Sequence, residues 1–121
     1  MIVDTSALLA YFDTDEPDHL AVASVIEGAT EALTLSPFVI AELDYLVSTR
    51  LGTTAGLAVL AELAGGAWDL PAVDAHALDE ARAVIDRYAD QRVGLADASN
   101  VVLAARTGTR PIATLDHRPF D

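Results

Sequence analysis

Met1-Ile2-Val3-Asp4-Thr5-Ser6 opens the chain, and the remaining segments can be ordered around it. Three apolar residues run into an acid and then into Ala7-Leu8-Leu9-Ala10-Tyr11-Phe12, which has helical character. The pattern predicts a short buried strand whose last residue is a carboxylate. In open α/β sheets, functional groups gather just beyond the carboxyl ends of parallel strands, so Asp4 is a site candidate. Read alone, it is first of all a helix N-cap ahead of Thr5. Where the other acids fall decides between the two readings.

Thr5 to Phe12 reads as one short helix, closed by the polar run Asp13-Thr14-Asp15-Glu16. Pro17 fits the first position of a second helix that carries Leu20, Val22, Ala23, Val25 and Ile26 and stops at Gly28. Ala32 to Leu35 forms a second strand. Ser36 then caps a third helix, with Pro37 at its first position and Phe38, Val39, Leu43, Leu46 and Val47 toward the core, ending at Gly52. A fourth helix spans roughly Thr54 to Ala64. Ala67 to Leu70 is a short strand before Pro71, and Asp74 caps a long amphipathic helix through about Tyr88. A linker over Gln91 to Leu95 leads to a helix from about Ala96 to Arg106, ended by Gly108. Pro111 to Leu115 is a final buried strand, and Asp116 follows it at once. Strands alternating with helices predict an α/β/α sandwich around a central, mainly parallel sheet of about four or five strands. No internal repeat or linker divides residues 1–121, which are expected to form one domain.

Composition narrows the chemistry. The chain has 121 residues, 52% hydrophobic, and no apolar run approaches a membrane span. A strand that begins at residue 1 leaves no room for a signal peptide, so a cytoplasmic protein is expected. Absence of cysteine excludes disulfides, thiolate metal sites and a thiol nucleophile. Nineteen acids against seven arginines give a net charge of −12, with no lysine at all. That balance argues against holding nucleic acid through a broad basic surface. It favours divalent cations and a basic protein partner. Walker-type phosphate loops and lysine-dependent phospho-acceptor sites are excluded.

Asp4 and Asp116 each follow the last apolar residue of a strand, so parallel strands place both at one sheet edge. Glu42 lies in the second turn of the helix that leaves the second strand, and Asp97 opens its own helix in Gly94-Leu95-Ala96-Asp97-Ala98. Helix starts that follow strands share that edge in a right-handed α/β fold. Each acid also has an ordinary use: Glu42 on a solvated face, Asp97 at a helix start, Asp116 in a turn. Four carboxylates at one place repel unless a cation sits among them. Oxygen ligands without nearby His or Cys suit Mg²⁺, with Mn²⁺ as a substitute, and such sites serve phosphate chemistry. Ser6 serves a carboxylate or the helix start on equal terms. Asn100, one turn past Asp97, either lines the site or, the favoured reading, is a surface residue. His117 and Arg118 follow Asp116 in a loop, His19 and His76 read as structural, and Asp13 to Asp18 read as solvated.

Taken together, Ile2-Val3-Asp4-Thr5-Ser6, Glu42 after Ser36-Pro37, Gly94-Leu95-Ala96-Asp97-Ala98, and Ala113-Thr114-Leu115-Asp116 with Phe120 resemble the PIN domain. More narrowly, they resemble the VapC toxins of bacterial type II toxin–antitoxin systems, over essentially the whole chain. Members of that family usually continue past the last acid, whereas this sequence stops at Phe120-Asp121. The resemblance implies a Mg²⁺-dependent endoribonuclease held inactive by a VapB-type antitoxin. Asp4, Glu42, Asp97 and Asp116 carry over as the acidic quartet, with Ser6 as an auxiliary group. On that reading Asp4, Asp97 and Asp116 hold one Mg²⁺ directly, and Glu42 binds it through water or helps a second ion. A basic antitoxin segment would reach the acidic site. A homodimer is expected from the resemblance and from surplus apolar helix surface around residues 38–64. The competing class is a regulatory PIN-like module that binds a metal or partner without turnover. A haloacid dehalogenase or receiver-type phosphate enzyme is disfavoured by the missing lysine and by Ser6, where an Asp-x-Asp motif needs an acid.

Overall fold

The computed structural model describes residues 1–109; the strand expected over 111–115, and with it Asp116, His117, Arg118 and Phe120, lies outside the described residues. Three extended segments meet at Thr34, which pairs in parallel with Ile2 on one side and Asp69 on the other. Thr34 N–H donates to Met1 O at 2.8 Å, and Val3 N–H donates to Thr34 O at 3.0 Å. On the far side, Asp69 N–H donates to Leu33 O at 2.8 Å and Leu35 N–H to Asp69 O at 2.9 Å. Segments this short satisfy few backbone groups, so burial fixes them: Ile2, Val3 and Leu35 are at most 1% exposed.

Six α-helices are described: α1 (Thr5–Phe12), α2 (His19–Glu27), α3 (Pro37–Leu51), α4 (Thr53–Leu63), α5 (Ala75–Arg87) and α6 (Leu95–Thr107). A 3₁₀ turn at Ala89–Gln91 lies between α5 and α6 and takes in Gln91, the first residue of the expected linker. Arg92 closes that turn in the left-handed region at φ 54°. α2 begins two residues later than Pro17 suggests. The reason lies in Asp13, whose Oδ1 accepts from Asp15 N–H at 3.0 Å while its carbonyl takes Glu16 N–H, so the backbone turns first. This loop is also less purely solvated than its charge suggests, since Glu16 pairs with Arg50 at 3.3 Å. One residue, Gly52, separates α3 from α4; its φ of 95° and ψ of 167° suit glycine alone. Further along, Gly56 lets α4 press on α3, where a Cβ would strike Ser48.

The main core gathers Val3, Leu8, Leu35, Val39, Leu43, Val47, Leu63 and Trp68. A second cluster between α5 and α6 holds Ala77, Ala81, Val93, Ala98 and Val102. Tyr11, Phe12 and Trp68 stack edge-on or tilted beside the first, and Trp68 Nε1–H donates to Glu62 at 3.3 Å. Burial, then Glu27 and Glu62, push the Tyr11 phenol above its ordinary range. Among the described residues, no helix is long and apolar enough to cross a membrane.

Asp74 caps α5 by accepting from Ala77 N–H at 2.9 Å, and that bond, helped by Arg106 and His76, holds its carboxyl below the usual range. A group with a lowered folded-state pKa contributes stability above its unfolded value of about 3.9 and loses it as pH falls through the folded value. Asp74→Ala is therefore expected to melt below the parent at neutral pH, with the gap narrowing below about pH 4. Thermal melts followed by circular dichroism from neutral to acid pH check this; a constant gap would contradict it.

Candidate active site

The ladder sets the geometry. Ile2 pairs with Thr34, so two residues further on Asp4 and Ser36 emerge in the same register from adjacent segments, which stand about 4.8 Å apart. Both are N-caps. Asp4 Oδ1 accepts from Ala7 N–H at 2.8 Å, and Ser36 Oγ accepts from Phe38 N–H at 3.1 Å. The cap and the site readings of Asp4 are thus compatible. One carboxylate oxygen anchors the helix start, and a carboxylate keeps lone pairs for a cation.

A polar relay joins α6 to this edge. Ser99 Oγ–H donates to Ala96 O at 2.7 Å, which uses its single proton. The 2.6 Å contact between Ser36 Oγ and Ser99 Oγ must then carry the proton of Ser36. The chain runs from Phe38 N–H through Ser36 and Ser99 to Ala96 O, entirely within buried surroundings for the two serines. Such directional chains polarise one another. This one clamps the first turn of α6, with Asp97 in it, onto the first turn of α3. The extended segment before α5 does not lead directly into α6, so sequence order alone could not place Asp97 there.

Asp4, Ser6 and Asp97 are half-buried, while Glu42 lies exposed on the second turn of α3. Among the described residues, no three Asp, Glu or His side chains close into a metal-holding group. Asp116 lies outside the described residues. His19 is structural as expected, its Nδ1 lying 2.7 Å from Ala10 O, and His76 pairs with Glu80 at 3.2 Å. Neither imidazole is offered to the edge where Asp4 emerges.

Two features were missed in the sequence. Ser36 read only as a cap, although Ser99 in the otherwise small-residue run Ala96-Asp97-Ala98-Ser99 offered it a buried partner. Asn100, read as a surface residue, is 6% exposed. Its amide oxygen is buried without a hydrogen-bond partner. The carboxylate oxygens of Asp4 and Asp97 are hard donors, a chemistry that fits Mg²⁺ or Mn²⁺ rather than a softer ion.

The PIN domain family matches residues 1–121. The chain belongs to the PIN domain family. Ribonuclease VapC26 of Mycobacterium tuberculosis is 59% identical over 120 residues, covering 99% of this chain and 89% of that protein. The crystal structure of VapC20 from the same organism, described as a sarcin–ricin loop cleaving toxin, superimposes with a TM-score of 0.88 at 20% identity. The match covers 96% of this chain and 90% of that one, and it establishes an α/β PIN fold.

Removing the Ser36 hydroxyl strips Phe38 N–H of its acceptor and Ser99 of its donor. Ser36→Ala is expected to cost about 1–3 kcal/mol in urea unfolding. Combined with Ser99→Ala it should cost less than the sum of the two single changes, because the changes share one relay. Strict additivity would show that the relay does not act as a unit.

Proposed function

We propose that this chain is a metal-dependent endoribonuclease of the VapC type, the toxin of a toxin–antitoxin pair. The observation that carries the reading is the 59% identity to Ribonuclease VapC26 over nearly the full chain. It is supported by an edge where Asp4 and the first turn of α6 are each fixed by hydrogen bonds. The strand expected at 111–115 would extend the three described segments into the full four- or five-stranded sheet and deliver Asp116 to the same edge.

In this reading Asp4, Asp97 and Asp116 would hold Mg²⁺, or Mn²⁺ in its place, and Glu42 would bind through water or help a second ion. The bound cation supplies water activation and neutralises charge on the phosphate. Residues of the chain do the positioning. The cap bond to Ala7 keeps Asp4 from turning away from the edge, and the serine relay fixes the turn that bears Asp97. Ser6, half-buried in the first turn of α1, would serve as an auxiliary group for a carboxylate or water. Water attacks phosphorus in line, the bond to the 3′ oxygen breaks, and that oxygen takes up a proton. A VapB-type antitoxin with a basic segment would neutralise the same carboxylates, in keeping with a net charge of −12. Tyr45 and Leu57, 70% and 62% exposed, support a homodimer that covers part of residues 38–64. The cytoplasm is the compartment that suits an RNA substrate.

Purified protein incubated with total RNA and Mg²⁺ is expected to give discrete cuts that EDTA abolishes. Asp97→Asn and Glu42→Gln should each slow cleavage, the former by at least about 100-fold. Gel or primer-extension mapping reads this out. Cleavage unchanged in both variants would remove the enzyme reading and leave the non-catalytic binding module.

A further inference from the structure

Any part that Asn100 of α6 plays in metal binding rests on the carboxylate site proposed above, which it deepens. The residue is 6% exposed, and Oδ1 is buried without a hydrogen-bond partner. A buried acceptor left unpaired is costly, and each one retained in a native fold calls for a ligand, water or ion.

The helix shows where this oxygen sits. At about 100° per residue, Asn100 lies about 40° from Ala96 and about 60° from Asp97 around the α6 axis. Ala96 faces the main core and Ser99 meets Ser36, whereas Ala98 and Val102 face α5. Asn100 therefore stands on the flank between the core-facing side and Asp97. Helical side chains lean toward the N-terminus, which carries this amide back over the turn that bears Asp97. That turn is the one clamped beside the Asp4 edge.

We infer that Asn100 is a positioning residue whose Oδ1 accepts a hydrogen bond from the hydration water of the divalent cation at Asp4 and Asp97. A neutral amide suits this role because it supplies an acceptor without adding a further negative charge to the cluster. Outer-shell partners of this kind are worth about 10- to 100-fold in metal affinity.

Asn100→Leu keeps the volume and removes the acceptor, and Asn100→Asp restores an acceptor at the same reach. Titration calorimetry with Mg²⁺ and spin-resonance titration with Mn²⁺ on the full chain measure binding, with Asp97→Asn defining the part that belongs to the site. Asn100→Leu is expected to bind about 10- to 100-fold more weakly, yet to melt higher than the parent without metal, because the orphaned oxygen is gone. Asn100→Asp is expected to bind at least as tightly as the parent. Equal binding by parent and Asn100→Leu would overturn the inference while the metal reading stands. A lower metal-free melting temperature for Asn100→Leu, with no rescue of binding by Asn100→Asp, would make Asn100 structural and also overturn it. No site-specific binding by the parent would remove the metal reading and this inference together.

Discussion

Everything at the candidate site depends on the parallel pairing of Thr34 with a neighbour on each side. Four backbone hydrogen bonds of 2.8–3.0 Å fix the register of residues 1–3 and 68–69 against 33–35. A slip of one residue would turn Val3 and Leu35, both fully buried, toward the wrong face. It would also shift Asp4 relative to Ser36, since the two stand level only because their segments leave the ladder at matching positions. The core thus enforces the placement of polar groups that contribute little to it.

Much of this was legible in the residues themselves. Asp4, Ser36 and Asp74 announce helix starts, Pro37 and Gly52 mark the two ends of α3, and the structure uses each in the role its chemistry suggests. These signals are local, and local signals survive folding. The late start of α2 was hidden because Pro17 fits a helix start, and the side chain of Asp13 competes for the backbone just before it. The burial of Asn100 was hidden for a different reason. Helical spacing reveals the stripe that faces a core, but not how wide that stripe becomes when a helix packs against two neighbours. α6 touches both α3 and α5, so most of its circumference is covered.

The site shows how one group can serve two ends. Asp4 stabilises a helix with one oxygen while it stands at the edge where phosphate chemistry is expected, and Ser36 caps a helix while it donates a hydrogen bond to Ser99. Asn100 departs from this economy. Its unsatisfied oxygen is a local weakness that an apolar residue would cure, which is the pattern of a position kept for what it binds.

The arginines carry a last consequence. Of seven, Arg50 pairs with Glu16, Arg82 with Asp79, and Arg106 with Glu80, all on the protein's own surface. Any ligand that uses Arg50, Arg82 or Arg106 must first displace a carboxylate of the protein itself from that guanidinium.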